Sequence, residues 1–310
     1  MGLMVQTTIR SAATFQGIGL HTGARVRMTV RPASANYGIW FRRSDVIGRD
    51  AMIPAIWDAV TPSRLCTVLE NGAGVSVSTV EHIMAALAGC GIHNALIEIN
   101  GPEVPILDGS AKPFVSAILG RGLQELDEPV RCIEILAAVE YREGEAVARL
   151  EPATALEIDF SIDFTDMAIG HQHKRLSMAN GTFVRELSDC RTFCRQSDVD
   201  AMRASGLALG GSYENAVVVE GEKILTPGGF RRSDEAVRHK MLDALGDLAL
   251  AGGPILGRYT GNRAGHAMTN KLLRALFAQP EAYRIVECDE YSSRNLPGAG
   301  VRIGDIPAVA

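Results

Sequence analysis

Two stretches of this chain read as distant copies of each other, and a chain that duplicates a unit must fold that unit twice and pack the copies together. Arg31–Phe41 reads RPASANYGIWF and Glu151–Phe160 reads EPATALEIDF, each an apolar strand candidate around a Pro-Ala-Ser/Thr-Ala turn. Further on, Val80-Glu81-His82-Ile83-Met84 answers Val237-Arg238-His239-Lys240-Met241, the same V-x-H-x-M pattern opening a helix. The offset grows from 120 positions at Pro32 and Pro152 to 157 at His82 and His239, so the second copy holds an insertion. The charged, proline-containing LDEPV (Leu126–Val130) reads as the linker, which predicts domains 1–127 and 128–310. Each half places several strands before a strong helix, which argues α+β rather than regular β-α alternation.

The first helix is predicted from Ser78 to Gly89, with Ser78 and Glu81 at capping-box spacing and Gly89-Cys90-Gly91 as its stop. The second is predicted from Ser233-Asp234 to Gly252-Gly253. On it, Met241, Leu245 and Leu248 form an apolar stripe, while His239, Asp243 and Asp247 fall at i, i+4 and i+8.

Bulk composition narrows the function classes. With 310 residues, 46% hydrophobic and 22% charged, the chain suits two globular domains; aromatics are only 5%, so their cores must be mainly aliphatic. A net charge of −5 without long runs of one sign is not the footprint of a nucleic-acid binder. MGLMVQTTIRSAATF lacks the pattern of a signal peptide, and the apolar runs IMAALAGCGI and LALAGGPILG are too short to span a bilayer. The expectation is a cytoplasmic protein whose scattered cysteines (Cys66, Cys90, Cys132, Cys190, Cys194, Cys288) are reduced thiols, Cys190 and Cys194 among them being buried.

His239 and Asp243 put an imidazole and a carboxylate on one helical face, close enough to share a metal. A catalytic zinc commonly takes three protein ligands and leaves a position for water. His82, at the matching place in the other half, is the candidate third ligand. H-x-x-x-D is a loose pattern, and from spacing alone a solvated helix face with an ordinary His–Asp contact fits it better than a metal site. Glu81 reads either as a general base or as a capping residue bonded to Ser78. His266 lies in the turn-rich NRAGHAMTNK, and His21 sits among glycines in GIGLHTG, where it could approach a ligand or simply fill a turn. His171 and His173 could form a chelating pair but fit a polar loop better, and His93 reads as a surface turn residue.

STVEHIMAALAGCGIHNALIEINGPEVPILDGSAKPF and VRHKMLDALGDLALAGGPILGRYTGNRAGHAMTNKLL closely resemble segments of the UDP-3-O-acyl-N-acetylglucosamine deacetylases, as do GIGLHTG, DCRTFC and GLALGGSYENAVVV. The similarity runs from about Thr8 to Ala275. It implies two α/β sandwich domains with helices packed between their sheets and an insertion in each. It also implies zinc-dependent removal of an N-acetyl group from an acylated UDP-sugar on the way to lipid A, by a monomer in the cytoplasm of a Gram-negative bacterium, with iron(II) as the alternative ion.

By resemblance, the metal ligands are His82, His239 and Asp243, and the general base is Glu81. His266 protonates the leaving amine, Asp247 orients it, and Thr192 steadies the oxyanion. Lys240, Phe193 and His21 fall to substrate binding. The insertion at about 191–216, with Leu207 and Gly210, builds a passage for the acyl chain, and Cys66 can favour an inhibitory second zinc. Two departures stand out. RLEP at Arg149–Pro152 lacks a lysine that some members carry, and Val68 replaces a second cysteine in LCTV. The competing readings are a non-catalytic sugar-nucleotide or metal-binding protein, against which Glu81 and His266 argue, and a zinc amidase for another N-acetylated sugar.

Overall fold

The structure, a computed structural model, describes residues 5–63 and 65–308; the first four residues of the N-terminal stretch lie outside it. The duplication is visible as topology. In the first half a five-stranded sheet runs Ala13–Ile18, Arg25–Pro32, Ala95–Ile99, Ile39–Arg43, Met52–Pro54. In the second half the same order recurs within a seven-stranded sheet as Val139–Glu143, Ala146–Glu151, Ile255–Asn262, Leu156–Asp163, His171–Ser177. There Arg131–Ile135 also pairs the central strand, and Tyr283–Glu287 pairs Arg131–Ile135. In both, the central strand is antiparallel to the preceding hairpin strand (Met28 with Ile99; Val147 with Asn262) and parallel to the next (Ile39 with Ala95; Leu156 with Gly257). The two proline-alanine segments are the crossings from one side of the central strand to the other.

Each sheet is interrupted at the same place by a small three-stranded sheet. The first comprises Val60–Thr61, Val68–Glu70 and Ser76–Ser78; the second comprises Phe193–Arg195, Val217–Glu220 and Lys223–Ile224. Helix α1 (Glu81–Gly89) follows the first insertion, and α2 (Lys112–Arg121) follows the central strand. In the second half α3 (Gln196–Ala204) lies within the insertion, α4 (Glu235–Ala249) follows it, and α5 (His266–Phe277) follows the central strand. Helices α1 and α4 are buried almost all round and share one core with both sheets, including Met28, Phe41, Ile97, Leu150, Ile158 and Tyr259. A helix buried on every face belongs between layers, not on a surface. Their backbones nearly touch: a Cβ on Gly246 would lie 2.0 Å from the Glu81 carbonyl oxygen.

Four local expectations are corrected. Helix α1 begins at Glu81, because Ser78 ends a strand paired with Val68 and its N–H donates to the Pro102 carbonyl; no capping box forms. LDEPV is not a free linker. Leu123–Pro129 is a strand paired with Val5–Ile9, and its charged residues Glu125, Asp127 and Glu128 face solvent. His171 and His173 lie on an edge strand rather than a loop, with His173 Nε2 2.7 Å from Asp159 Oδ1. His93 is partly buried rather than a surface residue: its Nδ1 accepts the Thr7 N–H at 3.1 Å. All six cysteines are free thiols, five of them buried; Cys194, expected to be buried like Cys190, is only half-buried, because it lies on the strand that borders the cavity. Among the described residues no helix is long and apolar enough to cross a membrane.

Candidate active site

The contact between α1 and α4 brings the two copies of the V-x-H-x-M motif to one point. His82 is the second residue of α1; His239, Asp243 and Asp247 line one face of α4; and His266 opens α5. Asp243 Oδ1 lies 3.6 Å from His82 Nε2 and 3.3 Å from His239 Nε2, and the two imidazoles meet nearly at right angles, 5.0 Å between centroids. One donor atom from each of the three residues lies within 4.8 Å of the others.

These residues fit a metal. Asp243 Oδ1 is buried with no hydrogen-bond partner among the described residues, a costly condition unless a cation takes it. His239 Nδ1 donates to the Cys190 carbonyl at 3.0 Å, which leaves the Nε2 lone pair facing the cluster. Burial pushes the His239 ring down to about 4, so it is a neutral donor. Burial opposes ionisation of Asp243, yet His239 and Lys240 hold its carboxyl well below the usual range. Lys240 Nζ caps the other oxygen, Asp243 Oδ2, at 2.7 Å.

Two proton-handling groups flank the triad. Burial pushes the Glu81 carboxyl up, against the pull of His266 and His82. Its Oε2 accepts the Thr67 N–H at 3.0 Å, so it is anchored to the first insertion and not to Ser78. Oε1 faces His266 Nε2 at 3.8 Å. His266 Nδ1 donates to Asp247 Oδ2 at 2.8 Å. Burial disfavours a charged ring there, but Asp247 and Glu81 outweigh it and raise His266 to about 9, an imidazolium at neutral pH.

The cluster opens into a cavity of about 700 Å³ running along the second insertion. Its apolar wall includes Phe164, Phe193, Val199, Met202, Ala216 and Val218, while Thr192, Lys240 and His21 supply polar groups. Phe193 packs edge-on to His239 at 6.2 Å and to Phe164 at 5.4 Å. Thr192 is positioned by its backbone, bonded to the Gly109 carbonyl and the Val217 N–H at 2.8 Å each. His21 is 8% exposed, and burial lowers its pKa. Both of its ring nitrogens lack a partner among the described residues. The loop bearing it is fixed by Glu103, which accepts the His21 N–H at 2.9 Å, the Thr22 N–H at 2.8 Å and the Thr79 hydroxyl at 2.9 Å.

Ten of the sequence-derived site residues therefore converge: His82, His239, Asp243, Glu81, His266, Asp247, Thr192, Lys240, Phe193 and His21. Two do not line the cavity. Leu207 is 37% exposed and is not among the lining residues, whereas Val199 and Met202 of α3 are. Gly210 has a packing role: a Cβ there would lie 2.2 Å from the Gly19 carbonyl oxygen, so glycine lets the insertion touch the loop of His21. Arg149 is likewise off the cavity, tied to Glu151 at 3.1 Å. Cys66 is buried, and burial together with Glu81 pushes its thiol up to about 12. Thr67, Glu103, Phe164, Val199 and Met202 carried no signal of their own; Thr67 and Glu103 lie inside recognisable motifs without a role attached.

With a carboxylate to take a proton and an imidazolium to give one beside a metal position, the chemistry on offer is addition of water to a polarised carbonyl. By site the molecule is a metal-dependent hydrolase, and by fold a duplicated α+β protein. A family model for UDP-3-O-acyl N-acetylglycosamine deacetylase matches residues 6–278. A UDP-3-O-acyl-N-acetylglucosamine deacetylase of Phenylobacterium zucineum is 52% identical over 282 residues, covering 91% of this chain and 96% of the relative. Enzymes of the same name from Shewanella halifaxensis and Shewanella woodyi are 41% and 42% identical over 305 and 290 residues, covering 96% and 93% of this chain and 99% and 95% of theirs. The chain belongs to the UDP-3-O-acyl N-acetylglycosamine deacetylase family.

Proposed function

We propose that this protein hydrolyses the N-acetyl group of UDP-3-O-acyl-N-acetylglucosamine, releasing acetate and the free 2-amino sugar nucleotide for lipid A biosynthesis. The observation that carries this reading is the facing pair Glu81 Oε1 and His266 Nε2, 3.8 Å apart beside the His82–His239–Asp243 cluster at the end of an apolar cavity. Zinc is the proposed ion on that cluster, though two imidazoles and a carboxylate would also accept iron(II). When bound, the ion supplies Lewis acidity, polarising the acetyl carbonyl and making water a nucleophile near neutral pH.

The chain's own groups do the rest. Glu81 Oε1 takes the proton from the attacking water, and the burial that raises its carboxyl makes it a better base near neutrality. Thr192, beside the cluster, offers a hydroxyl to the oxygen on which negative charge builds. His266 Nε2–H protonates the sugar nitrogen as the C–N bond breaks, while Asp247 holds its Nδ1. Lys240 and His21 face the sugar nucleotide, Phe193 packs beside the sugar, and the wall formed by Val199, Met202 and Val218 takes the acyl chain. Halves 1–127 and 128–310 are the proposed domains, on the strength of the repeated topology, with their boundary falling inside the strand Leu123–Pro129 that pairs back to Val5–Ile9. The proposed setting is the cytoplasm of a Gram-negative bacterium, with the protein a monomer.

The test is metal analysis of the purified protein together with deacetylation of the acylated UDP-sugar before and after chelation. Chelation should abolish turnover and zinc near stoichiometry should restore it. Full activity in metal-free protein would refute the metal role, and a protein inert towards this sugar in every metal state would refute the substrate.

A further inference from the structure

Thr67 has no part in the metal cluster or the acid–base pair, yet the carboxylates of Glu81 and of Asp247, the partner of His266, converge on it. It immediately precedes the strand Val68–Glu70 of the first insertion and is 3% exposed. Its backbone N–H donates to Glu81 Oε2 at 3.0 Å, and its hydroxyl donates to Asp247 Oδ1 at 2.5 Å. Its carbonyl accepts the Val80 N–H at 3.4 Å, which pins the residue against the start of α1. Glu81 belongs to α1 and Asp247 to α4, so one insertion residue joins the two central helices, across 180 positions in the case of the hydroxyl.

We infer that Thr67 is a positioning residue for the proposed acid–base pair, tying back one oxygen of each carboxylate so that Glu81 Oε1 and His266 Nε2 are presented to the same point. The geometry of Asp247 is what makes this specific. Its Oδ2 accepts the His266 Nδ1–H at 2.8 Å and its Oδ1 accepts the Thr67 hydroxyl, so both oxygens are committed and the carboxylate cannot turn about its own axis. A fixed carboxylate fixes the imidazole plane, and with Nδ1–H engaged, only Nε2 is left to face the site. Without the hydroxyl, Asp247 Oδ1 would be a buried acceptor with nothing to hold it, and the orientation of His266 would depend on one hydrogen bond instead of two.

Thr67→Val separates the side chain from the backbone: it keeps shape and the N–H bond to Glu81 and removes only the hydroxyl. Partners of this kind typically change activity by about 10–100-fold. The expected result is a loss of that size in kcat with KM and bound metal unchanged, and recovery in Thr67→Ser. The inference rests on the acid–base roles proposed above, so a second readout is independent of turnover. This is the proton resonance of His266 Nδ1–H, assigned by its absence in His266→Ala. It should be sharp and far downfield in wild type and Thr67→Ser, and broadened or shifted upfield in Thr67→Val. Thr67→Ala, read the same two ways, serves if the valine variant does not fold. An unchanged resonance without the hydroxyl would overturn the inference, as would a loss that raises KM and persists in Thr67→Ser. A wild type with the resonance but no deacetylation would overturn the functional reading alone.

Discussion

His266 and His93 are the same ring under nearly opposite conditions. Burial disfavours the charge on both, but His266 faces Asp247 and Glu81 and rises to about 9, whereas His93 meets the backbone N–H and the hydroxyl of Thr7 and burial takes it down to about 4. Burial alone therefore does not decide a histidine's state; a carboxylate within hydrogen-bonding distance reverses the sign. His93 yields a prediction free of the metal. Its folded pKa lies below the 6.5 of an unperturbed histidine, so on acidification the unfolded chain takes up the proton first. Its effect on stability is absent above that upper value and grows as pH falls towards 4, reaching at most about 3 kcal/mol. His93→Asn, whose Oδ1 can stand where Nδ1 accepts the Thr7 N–H, should lose this slope. Urea midpoints at pH 7 and pH 5 would show it: wild type should drop more than the variant, and parallel drops would remove His93 as a source of acid sensitivity.

Helices α1 and α4 bring the proposed metal ligands together through a close backbone contact at Gly246. A Cβ on Gly246 would meet the Glu81 carbonyl oxygen at 2.0 Å and the Ala85 nitrogen at 3.1 Å, backbone atoms that cannot swing aside. In an exposed helix, glycine to alanine stabilises by about 1 kcal/mol. Here the sign should reverse, with Gly246→Ala costing about 1–3 kcal/mol as overpacking and metal affinity falling with it, because Glu81 and His82 sit at the contact. Thermal unfolding and zinc titration would check both, and a variant more stable than wild type would mean that the helices separate freely. At this scale the sequence was readable where information is local or repeated. V-x-H-x-M marked both helices, and the proline-alanine segments marked the strand crossings that the sheets then repeat. It failed where the partner is remote. LDEPV at Leu126–Val130 reads as a linker because the ladder partner of the strand Leu123–Pro129, Val5–Ile9, lies more than a hundred residues away, and half that strand's side chains face water. Ser78 and Glu81 have capping spacing, but the ladder to Val68 and the N–H of Thr67 claim them first. Leu207 shows the same limit: apolarity suggests burial without saying on which side of a loop the cavity will lie.

Only the assembled molecule has the cavity. Its wall comes from Leu20 and His21 of the first half and from Phe164, Val199, Met202 and Val218 of the second. Close backbone approaches seal the two together: a Cβ on Gly109 would lie 2.0 Å from the Asn215 carbonyl oxygen, and the Leu209 N–H donates to the His21 carbonyl at 3.2 Å. The cluster proposed to hold the metal and the wall proposed to take the chain are thus built by one interface, so in that reading binding energy gained at the wall can be used to place the acetyl group at the metal. Each methylene buried there contributes up to about 0.8 kcal/mol, so four of them approach ~3 kcal/mol, over a hundred-fold in binding. Removing the 3-O-acyl chain should therefore lower kcat/KM by several orders of magnitude. The structure also says which side chain reports it. Met202→Asp puts a charge on the cavity wall and should lose the acylated substrate selectively, with metal content unchanged. Leu207→Asp, on an exposed side chain off the wall, should leave kcat/KM near wild type. Comparing kcat/KM for acylated and unacylated UDP-N-acetylglucosamine across the three proteins decides it. Near-equal values for the two substrates on wild type would leave a metal amidase with no acyl passage, and a larger loss at Leu207 than at Met202 would put the passage on the other side of the insertion.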